Sequence, residues 1–128
     1  MVHKLVGDYL AGLVGGGFDA YPLADDVVFR GPRLGPIEGA SEVRAVLNRI
    51  AVAFGSFEVT SPGRLVDHDE AILFLDVELA DGRGFAIADH LRFADAGLRL
   101  LRPYFDAGIL ESVGAAPSIS DLGPGVHL

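Results

Sequence analysis

Apolar residues open the chain at helical spacing: Val2, Leu5, Val6, Tyr9, Leu10, Leu13 and Val14 follow i, i+3, i+4, i+7. That stripe predicts an N-terminal helix. Gly15, Gly16 and Gly17 stop it, because glycine takes left-handed conformations at a helix end without steric cost. Phe18 to Leu23 is short and limited by Pro22, which leaves room for one turn. The β-branched and aromatic run Asp26 to Arg30 predicts a short strand. A loop follows over residues 31–39, punctuated by two Gly-Pro steps. Val43, Val46, Leu47, Ile50 and Phe54 then repeat the helical period, with Ser41 as the expected N-cap and Gly55 as the stop.

From Ser56 the period changes to that of strands. Phe57–Thr60 and Arg64–Asp67 read as one strand interrupted at Ser61-Pro62-Gly63, and His68-Asp69 as a turn. Ala71–Ala80, AILFLDVELA, is the strongest strand and is apolar on both faces, the pattern of a strand covered on both sides. Asp81-Gly82 predicts a two-residue hairpin turn. Arg83–Phe93 and Leu98–Phe105 complete an antiparallel meander, and one more helical turn is expected over Ala107–Val113. Helices first and strands afterwards make an α+β fold rather than a βαβ one. The domain is expected over residues 1–113, with 114–128 as a loosely held tail of low periodicity.

The hairpin sets the faces. With Asp81 and Gly82 at the centre of a two-residue turn, Ala80 pairs with Arg83, and Phe74 falls opposite Asp89. Phe74, Asp76, Glu78, Phe85, Ile87, Asp89 and Leu91 then share one face, and Leu73, Leu75, Val77 and Leu79 the other. A slip of one residue in the turn reverses this assignment. On this register Asp89 is a carboxylate among apolar residues, and burying a charge either shifts its pKa upward or demands a partner. Asp76 falls diagonal to it, either beside it in a pocket or at a wet rim of the sheet. The pocket expected from this face is lined by Phe29, Phe74, Phe85, Ile87, Leu101 and Phe105, with the Tyr9 helix as wall. Asp89 is the first catalytic candidate, as donor or acid. Asp76 is the second, as base, and Tyr9 the third, as donor.

Composition narrows the chemistry. The chain has 128 residues, half of them apolar, enough for one domain with a real core. Its net charge of −8 and scattered Lys and Arg argue against nucleic acid as a partner. With no cysteine, disulfides, thiolate zinc sites and Cys nucleophiles are excluded. The four histidines show no ligand spacing, no serine sits in a nucleophile elbow, and GLVGGG follows a helix instead of a strand. Neither a metal nor a cofactor is expected. Asp8 interrupts the N-terminal apolar stretch, so it reads as a helix and not a leader, and no segment is long enough to span a membrane. A cytoplasmic location is expected.

The phrases YPLADDVVFRGP, IEGASEVRAVL and DHLRFADAGLRLLRPYFD occur in that order. Over residues 3–113 the chain resembles the SnoaL-like branch of the nuclear transport factor 2-like superfamily, with ketosteroid isomerase, limonene epoxide hydrolase and polyketide cyclases among its relatives. The resemblance implies a cone-shaped, curved antiparallel sheet wrapped over N-terminal helices. It implies that Tyr9 lies near the tyrosine of the isomerase oxyanion hole and that Asp89, through Asp89-x-x-Arg92-Phe93, matches its aspartate. The isomerase base position holds Gly31. Asp76 matches the strand aspartate of the epoxide hydrolase, whose arginine and second aspartate positions hold Phe74 and Pro103.

The implied function is cofactor-independent acid/base isomerisation, cyclisation or hydration of a small apolar metabolite. The alternative is a non-catalytic ligand-binding or dimerisation module of the same fold. A homodimer is expected through the face carrying Leu73, Leu75, Val77 and Leu79, extended by Leu100 and Tyr104.

Overall fold

The computed structural model describes residues 1–32, 35–106 and 108. Helix α1, Val2–Ala11, buries Leu5, Val6 and Tyr9 and runs on into a π-helical turn, Gly12–Gly16. The glycines end the helix as expected, with Gly15 at φ 157° and Gly17 at φ 73°. Strand β1 covers Leu23–Phe29, and β2 is the two-residue strand Ile37–Glu38. Helix α2, Ala40–Phe54, buries Val43, Val46, Leu47 and Phe54. Its N-cap is Gly39, which makes no side-chain capping bond, and the expected cap Ser41 lies inside the first turn. Four long strands follow: β3 Glu58–Asp67, β4 Glu70–Glu78, β5 Gly84–Ala94 and β6 Gly97–Tyr104.

The six strands form one sheet in the order β2-β1-β6-β5-β4-β3. All neighbours are antiparallel except β1 and β6, which run parallel, so the first strand closes the meander from its far side. The break at Ser61-Pro62-Gly63 is an irregularity inside β3: the ladder to β4 shifts between Thr60 and Gly63. The helices cover the concave side, and the core joins Val6, Leu13, Phe18, Val43 and Leu47 to the sheet residues Val27, Phe29, Leu73, Leu75, Leu91 and Leu101. The fold is therefore the α+β cone expected from the sequence. The helical turn expected over 107–113 and the tail 114–128 fall outside the described residues, Gly108 apart.

The β4–β5 hairpin corrects the faces. Leu79, not Ala80, is the partner of Arg83: the Leu79 N–H donates to the Arg83 carbonyl at 2.8 Å. The loop holds three residues, Ala80 to Gly82. The Gly82 N–H bonds back to the Leu79 carbonyl at 2.9 Å, and Gly82 has φ 86°. This is the three-residue hairpin with glycine in the left-handed position. Every pairing moves by one, so Leu73 stands opposite Asp89, Leu75 opposite Ile87 and Val77 opposite Phe85. Leu73, Leu75, Val77 and Leu79 are all buried in the core, and Phe74, Asp76 and Glu78 are exposed on the convex side. The larger apolar row takes the concave side because there the helices bury it. The leucine face expected to pair two copies is thus the core itself.

Candidate functional site

The concave face of β5 reads Phe85, Ile87, Asp89, Leu91 and Phe93, all buried. Among the described residues Asp89 is the one buried polar or charged side chain, at 3% exposure. It lies mid-strand, with Leu73 of β4 on one side and Pro103 of β6 on the other. From above, α1 brings down Tyr9, also 3% exposed, and its phenol donates to Asp89 Oδ2 at 2.8 Å. The contact joins residues 80 positions apart in the chain.

The electrostatics follow from burial. Loss of water pushes the Asp89 carboxyl up from its ordinary 3.8 to about 7, against the Tyr9 hydrogen bond, which lowers it. Burial, then the charge of Asp89, then their hydrogen bond hold the Tyr9 hydroxyl well above its ordinary value. Tyr9 is thus a fixed proton donor, and Asp89 is populated in both protonation states near neutral pH.

Tyr9 stands in an aromatic cluster. Its ring centroid lies 5.5 Å from Phe18 and 6.2 Å from Tyr21, and Phe18 and Tyr21 meet edge-on at 5.7 Å. The Tyr21 hydroxyl donates to the Leu5 carbonyl of α1 at 2.7 Å. The loop carrying Phe18 and Tyr21 is tied to α2. The Arg44 guanidinium donates to the Phe18 carbonyl and, at 2.8 Å, to that of Tyr21, and Asn48 Oδ1 accepts the Phe18 N–H at 2.7 Å. Sequence reasoning missed Tyr21, Arg44 and Phe18. No sequence pattern marks Tyr21 or Arg44, because their bonds go to backbone carbonyls.

The other expected site residues divide by face. Phe29, Phe85, Ile87 and Leu101 are buried on the concave side with Asp89. Phe105 is half-buried and packs against Phe85 with centroids 6.1 Å apart. Phe74 and Asp76 are not there. The one-residue shift in the hairpin turns both outward, Phe74 to 38% exposure. Asp76 instead lines a groove of about 410 Å³ with Glu58, Thr60, Glu78 and Phe85. The proposed Asp76–Asp89 neighbourhood is therefore broken by the sheet between them. Pro103 stands opposite Asp89.

His90 points away from Asp89, and on the convex side it meets Glu70 Oε1 at 2.5 Å. Among the described residues no three His, Asp or Glu side chains gather as a metal site would require. No helix among them is long and apolar enough to cross a membrane.

Comparison with known proteins agrees with this architecture. Residues 6–99 match the model of the SnoaL-like domain. No curated protein matches the chain. Among solved structures, a protein from Kribbella flavida DSM 17836 superposes with a TM-score of 0.75 at 24% identity, covering 94% of this chain and 96% of that one. A nuclear transport factor 2-like protein from Cytophaga hutchinsonii ATCC 33406 gives 0.70 at 19% identity, over 87% of this chain and 95% of the other. An LEH-like epoxide hydrolase from M. tuberculosis gives 0.65 at 22% identity, over 89% and 92%. At these identities the structural likenesses speak for the fold alone, and it is the domain match across most of the cone that decides membership: the chain belongs to the SnoaL-like domain family.

Proposed function

We propose that the chain is a cofactor-independent acid/base enzyme acting on a small, largely apolar metabolite that carries a polarisable oxygen, with Asp89 as the proton-transferring group. The observation that carries this is the buried Tyr9–Asp89 pair, a carboxyl held near pH 7 with a phenol fixed on it at 2.8 Å. A group titrating near the working pH both gives and takes protons well. Tyr9 stays protonated and steadies the ionised form, and protonated Asp89 has its own O–H to offer a substrate oxygen. Phe29, Phe85, Ile87 and Leu101 are buried in the same core as Tyr9, with Phe105 packed on Phe85, and this apolar setting is what suggests a polyketide-, steroid- or epoxide-like skeleton.

Asp76 is behind the sheet, so among the described residues Asp89 is the carboxyl left to serve as both acid and base. That favours reactions in which the proton taken is put back, isomerisation or cyclisation, over hydration, which needs a separately activated water.

A panel of small apolar enones, β-dicarbonyls and epoxides tests this. Turnover that falls at least 100-fold in Asp89→Asn and survives in Asp76→Asn supports it. Turnover indifferent to Asp89→Asn overturns it. Binding without turnover on any class supports the second reading, a non-catalytic ligand-binding module, which the absence, among the described residues, of a second carboxylate beside Asp89 favours.

We propose further that the protein works as a homodimer through the convex sheet face. Phe74, Tyr104 and Leu65 are 38%, 50% and 63% exposed there, around Ile72, Ala86 and Ala88. Glu58, Asp76 and Glu78 lie at one end of that face. His90, Arg92 and Arg102, together with Glu70, lie at the other. A two-fold that turns the strands end for end sets the acidic end of one copy near the arginines of its partner.

A further inference from the structure

We propose that Tyr21 is the positioning residue that keeps the Tyr9 phenol on Asp89. The proposal deepens the acid/base reading of that pair. Its test reads the pair directly, without turnover.

Few directional contacts among the described residues otherwise fix α1. The helix opens the chain with no side-chain capping bond. Its far end runs into a π-helical turn in which Gly15 takes φ 157°. A glycine-rich exit leaves the rotation and height of a helix to its lateral contacts. Its ion pair, Lys4 to Asp8 at 2.6 Å, is exposed and internal to the helix, so it does not tie α1 to anything else. The apolar contacts of Leu5, Val6 and Leu13 press α1 onto the core, but apolar burial is non-directional. Among the described residues, directional bonds from α1 to the rest of the fold come from two phenols: Tyr9 on Asp89 and Tyr21 on the Leu5 carbonyl.

Leu5 lies one helical turn before Tyr9, on the same face. A bond that fixes the Leu5 carbonyl therefore fixes the turn from which the Tyr9 ring departs. Tyr21 is well placed to do this because its own backbone is held. Its carbonyl accepts from Arg44 at 2.8 Å, and its N–H donates to the Phe18 carbonyl at 3.2 Å. Its ring also meets the Tyr9 ring edge-on. A continuous path thus runs from α2 through Arg44 and Tyr21 to α1, and so to Asp89. At 6% exposure Tyr21 has little water to replace the bond if it is lost, and its hydroxyl is kept protonated by burial and the nearby Asp8 charge.

The test is the titration of the Asp89 side-chain carboxyl carbon by NMR in wild type, Tyr9→Phe and Tyr21→Phe. Tyr9→Phe removes the hydrogen bond that lowers the Asp89 pKa, so its value rises. Tyr21→Phe keeps the ring and removes only the bond to Leu5. The expected result is a rise in the same direction, smaller than that of Tyr9→Phe.

An unchanged Asp89 titration in Tyr21→Phe overturns the proposal. So does a fall toward the free-Asp value, which means that α1 has lifted and let water in. If Tyr21→Phe does not fold, Arg44→Gln loosens the same path from its other end and is judged by the same criterion. Loss of fold in both makes Tyr21 a structural residue and equally overturns the assignment. Absence of turnover in wild type, with these shifts intact, counts against the enzymatic reading and not against the role of Tyr21.

Discussion

A single carboxyl dominates the residue scale. Asp89 is ionised in the unfolded chain above about pH 4 and stays protonated in the fold up to about 7. Between those values the native state binds the extra proton, so stability is full at the acidic end and declines as pH rises through the window. Integrated over the shift, this amounts to about 4 kcal/mol less stability at pH 8 than at pH 4 from this one group. Asp89→Asn removes the titration and keeps the shape. Denaturant unfolding at pH 5 and pH 8 is expected to show the pH 8 deficit in wild type and to lack it in Asp89→Asn, which becomes the more stable protein at pH 8. A wild-type stability that rises steadily from pH 5 to 8 contradicts the burial of Asp89 as a neutral acid.

Among the elements, the hairpin decided the outcome. Leu75 is 1% exposed, and Asp76, its neighbour in sequence, is outside. Leu75→Arg is therefore expected to abolish folding, with Asp76→Ala within about 0.5 kcal/mol of wild type in urea unfolding. A folded Leu75→Arg protein would restore the two-residue hairpin register.

The β5–β6 turn gives a second test. Gly97 has φ 134°, and a Cβ there would lie 2.3 Å from the Pro22 carbonyl oxygen, where the chain enters β1. Gly97→Ala is expected to cost roughly 2–4 kcal/mol, read as a melting temperature at least about 8 °C lower.

The periods of α1, α2 and the four long strands were legible because burial on one side imposes them. The faces were not, because β4 is apolar on both. Ile72 and Phe74 look as buried as Leu73 and Leu75, and only the loop geometry at Gly82 distinguishes them. Asp89 was found despite this error, since an aspartate between Ala88 and His90 in an apolar strand stands out on either face. Asp76 and Phe74 were carried to the wrong side with the register. Tyr21 and Arg44 left no periodic trace, because their bonds go to backbone carbonyls that no sequence pattern reports.

On the scale of the whole molecule, the described residues leave apolar side chains exposed on the convex face of the cone. Phe74, expected from the sequence in the pocket, lies on that face beside half-buried Ile72. Light scattering at micromolar concentration is expected to give twice the chain mass for wild type. Phe74→Arg, at an exposed position in the centre of that face, is expected to give a folded monomer. Exchange of charge across the two ends gives a finer check: Asp76→Arg weakens the dimer, and Asp76→Arg with Arg102→Asp regains part of the loss. A monomeric wild type removes the dimer and leaves the Tyr9–Asp89 site untouched, since both residues come from one chain.

Burial leaves Asp89 an acid poised near neutrality beneath the Tyr9 phenol. The most direct test of this is the pH titration of the Asp89 carboxyl carbon in the wild-type protein. The account predicts a midpoint of about 7, far above the ordinary 3.8, moving upward in Tyr9→Phe. A midpoint at or below that of a free aspartate, unmoved by the loss of the Tyr9 hydroxyl, contradicts it.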